Sequence, residues 1–266
     1  TAKEPIVDLR ALTIRNFGIG SILSFITGIG IFCTVFLTPV FLGRVRGFDS
    51  TQIGVALLSV GIAQLFGLAV YSRLARVIDQ RYLLLFGLTL FGLGCWLYVP
   101  LTHDWGWQQL VLPQALRGFG QQFSIAPIVT MSLGSLPPAR LRSASGLFNL
   151  MRNLGGAIGI AVVSTMLNDR LNLHFLRLNE HVTYGRPTVE ALLNQNAAHF
   201  AQVGGNVLDG ANASLSLLHQ LAMREALVLT FSDTFAVVAA CFAFAVVLAL
   251  FSKSLKPGAA PPPDAH

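Results

Sequence analysis

The sequence predicts an all-α, polytopic membrane protein built as a bundle of six transmembrane helices. Three observations support this prediction: 53% of the 266 residues are hydrophobic, only 11% are charged, and the apolar residues form six long runs. Soluble domains carry about 25% charged residues, so a water-soluble globule of this composition would expose much apolar surface. Disorder is excluded for most of the chain, because disordered segments combine low hydrophobicity with high net charge.

Each apolar run is long enough for a helix that crosses the hydrocarbon layer, which takes about 20 residues for a thickness of roughly 30 Å. The runs lack the alternation of apolar and polar residues that is typical of strands in a membrane barrel. We name the predicted spans A to F, and they cover residues 17–43, 52–72, 82–100, 109–133, 143–167 and 226–252.

Basic residues predict the orientation of the spans, because Lys and Arg collect in cytoplasmic loops. The lead-in at residues 1–16, the B–C loop and the D–E loop are basic, whereas the C–D loop contains no Lys or Arg. Both termini are therefore predicted to be cytoplasmic, and the Pro/Ala-rich tail at 253–266 is predicted to be disordered. Residues 168–224 are predicted to form a polar extracytoplasmic insert, in which the helical spacing of Leu171, Phe175 and Leu178 indicates an amphipathic helix.

Polar side chains inside the spans are the main evidence on function, because they are costly in lipid and usually face a bundle interior or a water-filled cavity. Gln114, Arg117 and Gln121 share one face of span D, and Asn149 and Arg152 share one face of span E. We expect these five residues to line a cavity surrounded by spans A, B, D and E, with C and F toward lipid. An alternative stays open for both arginines, in which the guanidinium is buried and only locks helix packing.

Asp233 is the acidic residue that lies well inside a span, and two interpretations of it stay open. In one it is a candidate proton relay. In the other it belongs to the first turn of a span F that begins later, near Phe231, where the helix dipole favours an acid.

Glycines in spans D and E predict places where two helices approach closely. Small residues let helix backbones come together in a membrane, and a spacing of four residues keeps two of them on one face. The candidates for close packing are Gly118 and Gly120 on span D, and Gly155 and Gly159 on span E.

No metal site, cofactor or enzyme active site is predicted. Four of the six histidines, His174, His181, His199 and His219, fall in the insert without the close pairs typical of metal sites, and we interpret them as solvated loop residues. The sequence lacks the G-x-x-x-x-G-K, H-E-x-x-H and G-x-S-x-G motifs of nucleotide-binding proteins, zinc proteases and hydrolases. The net charge of +6 follows the basic loops, and no nucleic-acid partner is expected.

The stretch at residues 112–165 resembles the last third of the EmrB/QacA-type 14-helix drug:proton antiporters of the major facilitator superfamily. The resemblance extends, in the same order along the chain, over about residues 5–255. It rests on a V-F-L-T-P-V-F-L run that ends in an R-G-F-D-S loop at 35–54, R-G-x-G at 117–120, the loop at 136–141 with its basic residue at Arg140, S-G-L-F-N-x-x-R-x-L-G-G at 145–156, and aromatic-x-D-x-F at 231–235.

This resemblance implies the C-terminal six-helix bundle of a proton-coupled transporter in the inner membrane. Such a protein exports drugs or other small amphipathic molecules by alternating access, together with an N-terminal bundle that is missing here and carries the acidic proton-binding residues. A periplasmic adaptor protein that docks on the insert is also implied. The loop residues that correspond to a cytoplasmic latch are Arg73, Arg76, Asp79 and Arg81, with Arg76 standing where an acid is common.

A function of another class stays open beside the exporter. The same six helices would suit a membrane scaffold or partner subunit that transports nothing, or the remnant of a truncated transporter.

Overall fold

The computed structural model describes residues 13–134, 136, 138–181, 191, 194–197 and 207–252. These residues form long helices and, within the described ranges, no strand, which confirms the predicted all-α bundle. The long helices are α1 (Arg15–Arg44), α2 (Ser50–Leu74), α3 (Gln80–Trp96), α4 (Trp107–Leu133), α5 (Pro138–His181) and α6 (Val207–Ala249).

Consecutive helices are antiparallel, so α1, α3 and α5 end on the same side of the bundle on which α2, α4 and α6 begin. We call this side the distal end of the bundle. Four helical stretches are long and apolar enough to cross a membrane by length and composition: Arg15–Arg44, Ser50–Leu74, Ala144–Glu180 and Asn212–Ala249. Helix α3 has only 17 residues, and α4 contains Arg117 and five glutamines, which lower its hydropathy.

The helices that contain predicted spans E and F extend beyond those spans at the distal end. Span E was expected to end at residue 167 and span F to begin at residue 226, but α5 continues to His181 and α6 begins at Val207. At 1.5 Å per residue, α5 is about 66 Å long, more than twice the thickness of the hydrocarbon layer. Hydropathy falls where a helix leaves lipid, and it does not report where the helix itself stops.

Much of the predicted insert is therefore a continuation of two helices. We call residues 168–181 of α5 and 207–225 of α6 the distal helix pair. The rings of Phe175 and His219 make an edge-on contact in this pair, with centroids 5.0 Å apart. The amphipathic helix expected around Phe175 is the last part of α5. His199, residues 1–12 of the lead-in and the tail at 253–266 lie outside the described residues.

Local signals explain where α2 begins. Gly47 has a φ of 68°, a left-handed conformation that glycine adopts without steric cost, and it turns the chain after α1. The Asp49 carboxylate accepts from the backbone N–H of Gln52 at 2.8 Å, and the Gln52 side chain accepts from the backbone N–H of Asp49 at 3.1 Å. This reciprocal capping box satisfies two backbone donors that the first turn would leave unpaired.

Helix α1 lies at the centre of the bundle, against α4, α5 and α6, whereas α2 packs mainly against α4. Only Ala56 and Gly67 are buried along the whole of α2. The helix therefore presents most of its surface to whatever surrounds this chain.

Aromatic rings join α3 to α6 in the interior. Phe91 stacks on Phe242 with ring centroids 4.2 Å apart, and Tyr98 stacks on Phe235 at the same separation. These four rings are buried, so α3 is held between α4 and α6 although it is the shortest of the six long helices.

Candidate functional site

Glycines bring the backbones of α1 and α5 into direct contact. A Cβ atom added at Gly155 would lie 2.1 Å from the carbonyl oxygen of Phe25, and one added at Gly28 would lie 2.1 Å from the carbonyl oxygen of Arg152. Gly159 approaches α1 in the same way, one turn further along α5. The position of Arg152 is therefore set by a helix contact that admits no larger side chain.

The two glycines of α4 face different neighbours. A Cβ atom at Gly118 would lie 2.6 Å from the carbonyl oxygen of Val60 on α2, and one at Gly120 would lie 2.6 Å from the backbone nitrogen of Phe91 on α3. Helix α4 thus packs closely on both sides, and its polar residues are held between these contacts.

Arg117 lies in the bundle interior, with 2% of its surface exposed. Its Nη1 donates to the hydroxyl of Thr38 on α1 at 3.4 Å, and α3 approaches its backbone at Gly94. Gln114, one turn earlier, is fully buried, and neither polar atom of its amide has a hydrogen-bond partner among the described residues. No carboxylate in the described ranges forms an ion pair with Arg117.

Gln121 takes part in a hydrogen bond between two helices. The Nε2 atom of Gln64 on α2 donates to Oε1 of Gln121 at 2.9 Å, and both side chains are half-buried. The bond joins α2 to α4 within the apolar part of the bundle.

Arg152 and Asn149 form a separate polar pair on α5. Nη2 of Arg152 donates to Oδ1 of Asn149 at 3.1 Å, with Asn149 exposed and Arg152 half-buried. Helices α4 and α5 barely touch. The five residues expected to line one cavity therefore occupy three places: the interior, the α2–α4 contact and the open side of α5.

Asp233 lies well inside α6, which begins at Val207, so the interpretation of Asp233 as a first-turn residue is wrong. Its Oδ2 lies 2.9 Å from Nε2 of His174 and 3.6 Å from Nη1 of Arg170, both on α5. The His174 side chain is only 13% exposed, so its interpretation as a solvated loop residue is also wrong. The helical spacing around Phe175 was the one sequence signal that pointed to an ordered environment here.

The four residues expected in a latch lie in and beside the loop between α2 and α3: Arg73 in the last turn of α2, Arg76 and Asp79 in the loop, and Arg81 in the first turn of α3. Asp79 begins α3 and accepts from the backbone N–H of Arg81 at 2.9 Å, while the Arg81 guanidinium donates to the carbonyl oxygen of Leu250 after α6. Arg73 and Arg76 are exposed. Arg81 is thus engaged within this bundle, and the two exposed arginines project from it.

A comparison with protein families shows which family this helical bundle belongs to. The sequence profile of the Major Facilitator Superfamily matches residues 20–176, which is more than half of the chain. The chain belongs to the Major Facilitator Superfamily. It is therefore an integral membrane protein of a transporter family. In the described residues, no cluster of three or more His, Cys, Asp or Glu side chains is arranged to hold a metal ion.

Individual relatives agree with the EmrB-type resemblance. The chain is 28% identical to the colistin resistance protein EmrB of Acinetobacter baumannii over 251 residues, which is 94% of this chain and 48% of the relative. It is 29% identical to the multidrug export protein EmrB of Escherichia coli K12, covering 95% of this chain and 48% of the relative. It is also 29% identical to the fatty acid resistance protein FarB of Neisseria gonorrhoeae, covering 88% and 44%. The chain spans about half the length of these relatives.

Proposed function

We propose that this chain is the C-terminal bundle of a proton-coupled exporter of drugs or other small amphipathic molecules. The names of its relatives support export as the activity. In this proposal the protein resides in the inner membrane with both chain ends cytoplasmic and the distal end outside. A second bundle completes the substrate cavity, and the two bundles rock against each other in alternating access.

One observation carries the proposal: Arg152 and Asn149 lie on the open side of α5, within its apolar span. A guanidinium at the centre of a membrane costs at least about 2.5–3.5 kcal/mol when it faces lipid. That side of α5 must therefore face water or polar groups of another bundle. A water-accessible cavity between two bundles supplies such an environment.

The interior residues of α4 support the same proposal. Arg117 is buried without a carboxylate partner in the described residues, and the Gln114 amide is unpaired there. Buried charge is stable only when it is paired or well hydrogen-bonded. We propose that Gln114, Arg117 and Gln121 act from the α4 side of the cavity, where a substrate or an acid of the second bundle balances the guanidinium charge.

Coupling and assembly belong to the proposal as well. Arginine does not titrate at physiological pH, so a carboxylate or histidine must carry the proton, and Asp233 is a candidate relay residue in this chain. We propose that exposed Arg73 and Arg76 meet the second bundle at the cytoplasmic latch, and that the distal helix pair docks a periplasmic adaptor.

The test of the cavity uses the full-length protein that contains this chain, reconstituted in proteoliposomes. Arg152→Gln should lower efflux by on the order of tenfold or more, because a hydrogen bond to a charged group contributes about 1.5–3 kcal/mol. Arg177→Gln is the matched control, since Arg177 is an exposed arginine further along the same helix, in the distal helix pair. Wild-type efflux by Arg152→Gln at equal reconstitution would refute the cavity assignment.

A further inference from the structure

A cluster of three ionisable side chains joins α5 to α6 near the distal end. Asp233 accepts from His174 at 2.9 Å and forms an ion pair with Arg170 at 3.6 Å. The neighbouring Ser232 hydroxyl donates to the carbonyl oxygen of Val99, just beyond the end of α3. The cluster therefore lies at the level where the apolar bundle ends and the distal helix pair begins.

The three side chains differ in their exposure to solvent and in their role in binding a proton. The imidazole of His174 is largely shielded, whereas Asp233 and Arg170 are partly exposed and keep the cluster in contact with solvent. A hydrogen bond from Nε2–H to the carboxylate leaves Nδ1 as the atom that gains or loses a proton. Histidine is the side chain whose ordinary titration range lies between pH 5 and 8. Protonation at Nδ1 would turn a neutral imidazole–carboxylate hydrogen bond into an ion pair.

The cluster around His174 shares no ion pair with the other charged groups described at the distal end. Among the described residues, the closest ion-pair partners of Asp233 are His174 and Arg170, and a second pair joins Nδ1 of His103 to Oε1 of Glu225 at 2.7 Å. Further titratable or charged side chains toward the distal end include Arg44, Arg46, Asp104, Asp169, Arg177, Glu180, His219 and Arg224.

We propose that His174, held by Asp233 and Arg170, is a proton-binding site at the distal end of the bundle. This inference rests on the proposed proton-coupled export, in which protons enter from the outer side. The site links α6 to α5, the helix that also carries Asn149 and Arg152, so a change in its charge changes how firmly the end of that helix is held. Proton binding and substrate binding are thereby placed on one helix.

The experiment separates coupling from assembly by measuring two kinds of transport with the full-length protein in proteoliposomes. One is transport driven by an imposed pH gradient, and the other is substrate exchange without a gradient. His174→Gln retains an N–H donor toward Asp233 but cannot titrate. It should lower gradient-driven transport by roughly tenfold, within the usual range of coupling between two bound ligands, and leave exchange within about twofold. His103→Gln, which removes the titratable ring from a separate cluster with Glu225 and Asp104, should leave both unchanged.

A second measurement depends on no variant being active. In wild-type protein labelled with ¹³C-histidine, one imidazole signal that is missing in His174→Gln should change its chemical shift when the site binds a proton. Unchanged gradient-driven transport in His174→Gln, or equal loss of both kinds of transport, would overturn the inference. If wild-type protein shows no gradient-driven transport, the proposed coupling itself fails; the NMR signal then decides, and a His174 imidazole that does not titrate rules out the site.

Discussion

Replacing Gly155 with alanine tests whether α1 and α5 are held by backbone contact. The new Cβ would lie 2.1 Å from the carbonyl oxygen of Phe25, whereas carbon and oxygen atoms in contact normally stay about 3.3–3.6 Å apart. The helices must therefore separate by roughly 1.2–1.5 Å, and a gap of only 0.5–1 Å already forfeits roughly a quarter to a half of the dispersion energy of each contact. Because Phe25 contributes backbone, no side-chain rotation relieves the clash.

Gly146 supplies the control on the same helix, because a Cβ there would meet nothing within 4 Å. Both substitutions gain the same helix propensity, about 0.5–1 kcal/mol, so their difference isolates the steric cost. Overpacking usually costs about 1–3 kcal/mol of unfolding free energy. We expect Gly155→Ala to be less stable than Gly146→Ala by an amount in the upper half of that range. Equilibrium unfolding of the two variants in detergent micelles measures this difference. Equal unfolding midpoints would refute the proposed backbone contact.

Two further predictions concern α2 and the distal helix pair. A double-mutant cycle with Gln64→Leu and Gln121→Leu should give a coupling energy of about 0.6 kcal/mol, and up to about 1.7 kcal/mol, in unfolding experiments, because the amides share one hydrogen bond; independent effects would contradict the pairing. A photo-crosslinker at Leu176 should capture a co-expressed periplasmic adaptor, whereas one at Phe244, equally exposed at 61% against 62% but in the apolar span, should not. Equal capture at both positions would argue against docking on the distal helix pair.

The observed helix limits show which parts of the secondary structure local sequence signals can predict. Spans A to D were predicted within a few residues of α1 to α4, because apolar length and capping residues such as Asp49 act over one or two turns. The helix around Phe175 was expected but not as a continuation of α5, and the helical residues 207–225 of α6 were not predicted, since polar residues there resemble a loop in hydropathy. A helix that leaves the membrane keeps its backbone hydrogen bonds, and its packing partner then decides how far it extends.

The candidate site residues show the same difference between what the sequence predicts and what the tertiary structure adds. The sequence by itself determined that Arg117 and Arg152 stand in apolar helices, because the cost of burying charge depends on the local environment of a helix. Only the tertiary structure decided that Arg117 turns inward to Thr38 while Arg152 stays on the open side of α5.

The pairing of His174 with Asp233 could not be derived from the sequence at all. The two residues are 59 positions apart and were expected in a loop and a membrane span, respectively. Composition and periodicity act within one helix and therefore fix its class and its apolar face. Contacts between helices depend on rotation and register, which are set jointly by all the packed surfaces, and those contacts bring the ionisable groups together.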